Sequence, residues 1–188
     1  MLVKLFNVLA VVWLVSEVVL GLLLRARRAS ATVRDRGSLV LLWIAIGIGL
    51  AAGNFIRSRG AGSIGAPPTL FLPAALVLFL SGLVLRWTAI FTLGRFFTPN
   101  VAIQPGQRIV RTGVYRHVRH PAYSGLLLTF LGAGLAFDNW LSLLVVFIPV
   151  AAALLYRIHV EESALAEMLG REYSDYCKVT KRLIPGVY

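Results

Sequence analysis

Apolar residues in this chain fall into long runs broken by short, Arg-rich or Gly/Pro-rich segments. Residues 5–24, 38–55 and 69–93 each approach the roughly 20 apolar residues that a helix needs to cross a bilayer. Residues 121–136 and 140–158 are shorter, and only a turn around Asp138 and Asn139 separates them, so they read as an antiparallel helical hairpin. The last of these helices is predicted to continue past its apolar stretch through Leu169 and to stop at Gly170. Residues 57–68 form a turn rich in Gly, Pro and Ser. The tail, 171–188, is amphipathic and basic, with Tyr173, Tyr176, Leu183 and Ile184 available to pack back on the protein. The pattern predicts an all-α, polytopic integral membrane protein with about five transmembrane helices.

Composition strengthens this reading. The chain is 58% hydrophobic with a mean hydropathy of +0.79, whereas soluble domains run near ~45–50% apolar. No polar segment is long enough to build a core of its own, so no soluble domain can be cut out. The formal charge of +11 admits nucleic acid as a partner in principle, but its placement favours lipid, and no nucleic-acid partner is expected. Arg25, Arg27, Arg28, Arg34 and Arg36 fall in the first loop, and Arg95, Arg108, Arg111, Arg116 and Arg119 in the loop before the hairpin. The tail side holds Arg157, at the end of the last run, with Arg171, Lys178, Lys181 and Arg182, and five spans put all of these on one side, against Lys4, Arg57 and Arg59 on the other. The positive-inside rule makes the crowded side cytoplasmic, as in a bacterial cytoplasmic membrane. Basic residues after the first run, with no clear small-residue cleavage site, identify that run as a retained helix rather than a signal peptide. The single cysteine, Cys177, excludes an internal disulfide.

Three features inside the spans bear on packing. Glu17 is alone in the first run and is expected to face another helix. Gly49 and Gly53 have the small-xxx-small spacing that lets helices approach closely. Arg86, near the end of the third run, is expected to snorkel to the interface.

Candidate chemistry concentrates in two places. Residues 94–120 form a 27-residue polar loop, and such loops in compact proteins usually carry function. It ends in a block running from Gly113 to Gly125 with two His, two Arg and two Tyr. Pro121 suits the first position of a helix, with His120 as its cap. A helix start favours an anion, and Arg119 and His117 lie beside it. The second place is the end of the last apolar helix, where Glu161 and Glu162 follow Arg157, and Arg157 and Glu161 are spaced to pair. A hairpin brings His120 and the two glutamates to one mouth, and a site with both signs of charge suits a zwitterion.

Gly113-Val114-Tyr115, Arg119-His120-Pro121-Ala122-Tyr123-Ser124-Gly125, Glu161-Glu162-Ser163-Ala164-Leu165, Gly170 with Tyr173 and Tyr176, and Arg182-Leu183-Ile184-Pro185 together resemble the isoprenylcysteine carboxyl methyltransferase family and its phospholipid methyltransferase relatives. The likeness covers residues 94–188. It divides the chain into an N-terminal three-helix region, 1–93, and a methyltransferase core, 94–188, with the loop and tail covering a cofactor pocket. The resemblance implies an integral membrane enzyme that uses S-adenosylmethionine without the soluble Rossmann-type fold, and no GxGxxG follows a predicted strand here. By similarity Gln107, Arg108, Ile109, Val110 and Tyr115 line the pocket, and His117, Arg119, His120 and Tyr123 complete it. The cofactor's carboxylate is matched by Arg119 and His120, its ammonium by Glu161 and Glu162, of which helix phase decides the one that faces the site, and its sulfonium by the rings of Tyr115 and Tyr123. Glu162 and Arg182 are the expected catalytic pair facing a lipophilic or lipid acceptor. Many relatives carry an Arg where this chain has Val179, and Lys178, Lys181 or Arg182 can substitute. No metal site is expected. Two other readings remain: a sterol-reductase-like enzyme using NADPH, and a non-enzymatic lipid-binding protein whose Arg clusters meet anionic headgroups.

Overall fold

A computed structural model describes residues 2–25, 32–33, 35, 37–60, 62–65, 67–103 and 106–188. Arg27, Arg28, Arg34, Arg36 and Pro105 lie outside the described residues. Among the described residues the chain forms six α-helices: α1 Leu2–Arg25, α2 Ser38–Ser58, α3 Pro68–Leu93, α4 Pro121–Leu135, α5 Trp140–Leu169 and α6 Arg171–Val179. A two-residue antiparallel pair, β1 Thr32–Val33 with β2 Ala102–Ile103, joins the first loop to the long one. α1, α2, α3 and α5 are long and apolar enough to cross a membrane. α4 has 15 residues, about 22 Å of helix, and falls short of a hydrocarbon core of roughly 30 Å.

Local chemistry sets the helix ends. Pro121 occupies the first turn of α4, and the His120 carbonyl accepts from the Tyr123 and Ser124 N–H groups, both at 3.0 Å. The turn into α5 places Asp138 at φ 52, a left-handed conformation that Asp tolerates better than most residues. Asn139 then caps α5, its Oδ1 accepting from Ser142 N–H at 2.9 Å. α5 spans 30 residues, about 45 Å, so its last turns extend beyond the apolar stretch and carry Glu161 and Glu162 with them. Gly170, at φ 50, breaks the helix and starts α6.

α4 packs most extensively on α3, and α5 on α2. Gly49 and Gly53 hold the second of these contacts, because a Cβ on Gly53 would meet Val146 Cγ2 at 2.9 Å. Ser142 Oγ also donates to the Gly53 carbonyl at 2.7 Å. The first contact rests on Gly82, Gly125 and Gly132, which the sequence pattern did not flag. A Cβ on Gly125 would lie 2.6 Å from both Arg86 N and Gly82 O, so the two backbones nearly touch. Phe79, Phe130, Val146, Val150 and Leu154 fill the centre, with Trp13 edge-on to Phe79 and Phe130 at 5.7 and 5.3 Å.

Arg86 departs from the expectation of snorkelling. It is only 8% exposed, and its Nε and Nη2 reach the two carboxylate oxygens of Glu17 at 2.5 and 2.6 Å. Trp13 Nε1 adds a third hydrogen bond to Glu17 at 3.2 Å. An unpaired charge at this depth is costly, and a bidentate carboxylate inside the bundle removes that cost more fully than a stretched side chain at the interface.

The glycine contact makes a direct prediction. Gly125→Ala should force α3 and α4 apart and lower stability by about 1–3 kcal/mol. Gly47→Ala, where an added Cβ meets nothing within 4 Å, should cost nothing. Thermal melting of the two variants in detergent checks the contrast.

Candidate active site

The tail folds back onto the start of α4. Val118 and Lys181 form a parallel bridge, Arg119 N–H donates to Lys181 O at 2.8 Å, and His120 N–H donates to Arg182 O at 3.0 Å. Ser124 Oγ donates to Leu183 O at 2.6 Å. The Arg119 guanidinium reaches the carbonyls of Cys177 and Thr180 at 3.3 and 2.5 Å, fixing the last turn of α6.

Glu162 is the anion at the centre of this closure. It accepts from Arg119 Nε at 3.0 Å and Arg182 Nε at 3.0 Å, and His120 Nε2 lies 3.2 Å away. Arg119, expected with His117 to present a free anion site, is therefore turned onto a carboxylate of the chain itself, while His117 is exposed. Val179 is 74% exposed, and Lys178 pairs with Asp175 at 2.8 Å on the outer face of α6.

Glu161 faces differently. It accepts from the Tyr123 hydroxyl at 2.7 Å, and His120 Nδ1 lies 3.9 Å away. Arg157 and Glu161 are not bonded directly, because the Tyr123 hydroxyl stands between them and accepts from Arg157 Nε at 2.9 Å. Arg157 is 3% exposed, and its other nitrogens donate to Ser38 Oγ at 2.9 Å, Asp35 Oδ2 at 3.4 Å and the Pro99 carbonyl. It is a buried anchor rather than a loop cation. Burial alone would raise the Asp35 carboxyl, but hydrogen bonds from Ser38 and the charge of Arg157 hold it below its usual range.

A cleft enclosing about 930 Å³, its open mouth included, lies under the loop and beside α5. The loop supplies Gln107, Arg108, Ile109, Val110 and Tyr115, and the mouth supplies Arg119, His120, Tyr123 and Glu161. His117, Glu162 and Arg182 are not part of its lining. Phe96, Phe97, Asn100 and Val101 from the start of the loop and Leu165, Leu169, Tyr173 and Tyr176 from α5 and α6 also line it, although sequence reasoning assigned none of them to the pocket and quoted Leu165, Tyr173 and Tyr176 only as part of the motif. A signal for two of them was present: Leu165 and Leu169 follow Glu161 at helical spacing, which places all three on one face of α5. Glu162, about 100° round the helix, faces the tail instead. Burial raises the phenols of Tyr115 and Tyr173 and pushes Tyr176 up to about 12, so all three are neutral hydrogen-bonding groups. Tyr176 donates to the Tyr115 carbonyl at 2.6 Å.

A second cavity, about 730 Å³, lies between the spans. Trp13, Leu20, Leu42, Trp43 and Ile46 make it apolar, and Glu17, Arg86 and Arg157 border its polar side. It shares Phe97, Thr98 and Tyr123 with the first cleft.

Residues 75–167 match the model of the isoprenylcysteine carboxyl methyltransferase family. That segment, just under half of the chain, is similar to the family. Among its relatives is protein-S-isoprenylcysteine O-methyltransferase B of Arabidopsis thaliana, 34% identical over 114 residues, covering 60% of this chain and 58% of the relative. A probable protein-S-isoprenylcysteine O-methyltransferase of Oryza sativa subsp. indica is 34% identical over 112 residues, covering 58% and 59%. The fold is similar to the solved structure of the eukaryotic intramembrane Ras methyltransferase of this family without a monobody, with a TM-score of 0.58 and 28% identity over 80% of this chain and 51% of that one. The chain thus spans between half and three-fifths of the length of these relatives. The family match and the apolar helices together make it an integral membrane protein.

Removing the Glu162 carboxylate tests the closure. Glu162→Ala should leave Arg119, His120 and Arg182 without their shared partner and speed amide exchange at residues 119–120 and 181–184 by at least about tenfold. Lys178→Ala, which breaks only an exposed pair, should leave that exchange unchanged.

Proposed function

We propose that this protein is an S-adenosylmethionine-dependent membrane methyltransferase that modifies a lipophilic acceptor, such as a prenylcysteine-like carboxylate or a lipid headgroup. The observation that carries this reading is the meeting of two mainly apolar cavities at Phe97, Thr98 and Tyr123, one opening under the loop and bordered by Arg119, His120 and Glu161, the other lying between the spans. A water-soluble donor fits the first and a hydrocarbon tail fits the second. The names of the Arabidopsis and rice relatives support a methyl-ester-forming reaction on an isoprenylcysteine.

The lining of the cleft fits the donor. Glu161 offers a carboxylate for an ammonium group, Arg119 and His120 border it on the cationic side, and Tyr115 and Tyr123 offer ring faces for a cation. When bound, S-adenosylmethionine supplies an electrophilic methyl group. The chain's part is to hold donor and acceptor in line and to keep water out. Tyr123 is fixed for this by Glu161 on one side and Arg157 on the other. A carboxylate acceptor needs no base, so no proton transfer is asked of these residues; an amine acceptor would need one. In this reading Glu162 and Arg182 act by positioning Arg119 and His120, since neither lines the cleft. Lys/Arg placement supports a cytoplasmic opening for the cleft.

Calorimetry on the purified protein in detergent tests the reading. S-adenosylhomocysteine should bind in the micromolar range and NADPH should not. Glu161→Gln should weaken S-adenosylhomocysteine about tenfold. Binding of NADPH alone would replace this assignment with a reductase.

A further inference from the structure

Among the described residues, all but four of the exposed large apolar side chains lie on α1, α2, α3 or residues 140–156 of α5, the helices that face lipid. The four exceptions fall together in the tail. Val179 is 74% exposed and Val187 72%, and Ile184 and Tyr188 are exposed as well. A cluster of apolar groups outside the spans marks a surface that something covers.

The depth of the segment identifies the cover. α4 rises from the hairpin turn for about 22 Å. Its start therefore reaches no farther than the edge of a hydrocarbon core of roughly 30 Å. The tail is bonded to that start. The Lys181 and Arg182 carbonyls accept from the Arg119 and His120 N–H groups, and the Leu183 carbonyl accepts from Ser124 Oγ in the first turn of α4. Residues 181–188 thus lie in the interfacial zone of the bilayer, level with the ends of the spans.

Charge identifies the lipid. Lys178, Lys181 and Arg182 line a groove with Val179, Val187 and Tyr188, enclosing about 640 Å³, its open mouth included. Asp175 offsets Lys178, and Arg119 and Arg182 share Glu162. Lys181 is exposed and has no ion pair among the described residues, and the exposed Arg116 and His117 flank its backbone bridge to Val118. The groove keeps an excess of positive charge, which anionic headgroups match. Tyr188 adds an aromatic ring of the kind that favours the headgroup level. A soluble acidic partner would match the charge but leave the apolar side chains at this depth unexplained.

We propose that residues 178–188 form a seat for an anionic phospholipid, its phosphate against Lys181 with Arg182 beside it, and its acyl chains against Ile184 and Val187. Of the groove's lining only Arg119 also borders the cleft, and the proposal stands independently of the methyltransferase reading.

The depth of residue 187 tests it. Val187→Cys in a Cys177→Ser background is spin-labelled in nanodiscs, and collisions with oxygen, which concentrates in the bilayer, are compared with collisions with a water-soluble nickel chelate. The oxygen-to-nickel ratio should be higher in phosphatidylglycerol than in phosphatidylcholine. Lys181→Gln should raise the phosphatidylglycerol fraction needed for half of that change about fivefold. Inorganic phosphate added to phosphatidylcholine nanodiscs should leave the ratio unchanged. A label as open to nickel in both lipids as one at the exposed Ser174→Cys overturns the proposal and leaves the surface to a soluble partner. Equal burial in both lipids overturns it too, because headgroup charge then selects nothing. A response to inorganic phosphate alone reduces the groove to an ion site and also overturns it. Should Val187→Cys fail to fold, the same comparison at Ile184→Cys decides.

Discussion

One carboxylate holds the functional end of this protein together. Glu162 takes Arg119 and His120 from the start of α4 and Arg182 from the tail, all within 3.2 Å. Three segments distant in sequence meet on it. A carboxylate and three potential cations, half-withdrawn from water, hold one another in place more firmly than any of them would on an open surface. The backbone bridge between Val118 and Lys181 and the bond from Ser124 to the Leu183 carbonyl then follow, because the ion cluster has already brought those strands of chain side by side. Without that anchor the tail is a short amphipathic helix, α6, and an open turn. With it, α6 closes one wall of the cleft.

The pattern of the sequence revealed the spans, the hairpin, Pro121 at the first turn of α4 and Gly170 at the end of α5. Each follows from a local rule: apolar run length, the restricted φ of Pro, or the freedom of Gly to take φ 50. What stayed hidden depends on pairing across distance. Glu17 read as a lone intramembrane acid and Arg86 as a snorkelling base, because nothing in either helix names its partner. Gly82, Gly125 and Gly132 belong to two helices, and only their contact shows that they matter. Glu161 and Glu162 are adjacent and alike, so composition cannot say which faces the cleft. Helix phase decides it, with Leu165 and Leu169 on the face of Glu161. The unpaired Asn100 Oδ1 escaped notice for a related reason. An unpaired buried atom is a property of packing, and no sequence window contains it.

Tyr123 is the point at which the two cavities touch, and its neighbours explain why it can serve there. Its hydroxyl accepts from Arg157 and donates to Glu161, so both of its hydrogen-bonding roles are used and its ring is held rigidly. Its ring also stacks on His120 with centroids 5.6 Å apart. Arg157 is held in turn by Ser38, Asp35 and the Pro99 carbonyl. The wall between the cavities is therefore a chain of saturated polar groups rather than a flexible side chain.

The same bonds explain how the N-terminal helices belong to the site although the family segment begins only at residue 75. Glu17 on α1 neutralises Arg86 on α3, beside the cavity between the spans. Asp35 and Ser38, at the start of α2, hold Arg157 on α5. In a bilayer each of these cations would be costly alone, and each finds its partner outside the matched segment. The N-terminal half thus does more than add apolar surface. It supplies anions and hydroxyls that let the matched segment keep arginines at the membrane edge, and through Arg157 it reaches Tyr123. Divergence in the N-terminal helices is then constrained less by their apolar positions, which many residues satisfy, than by the few polar groups that complete these two arginines.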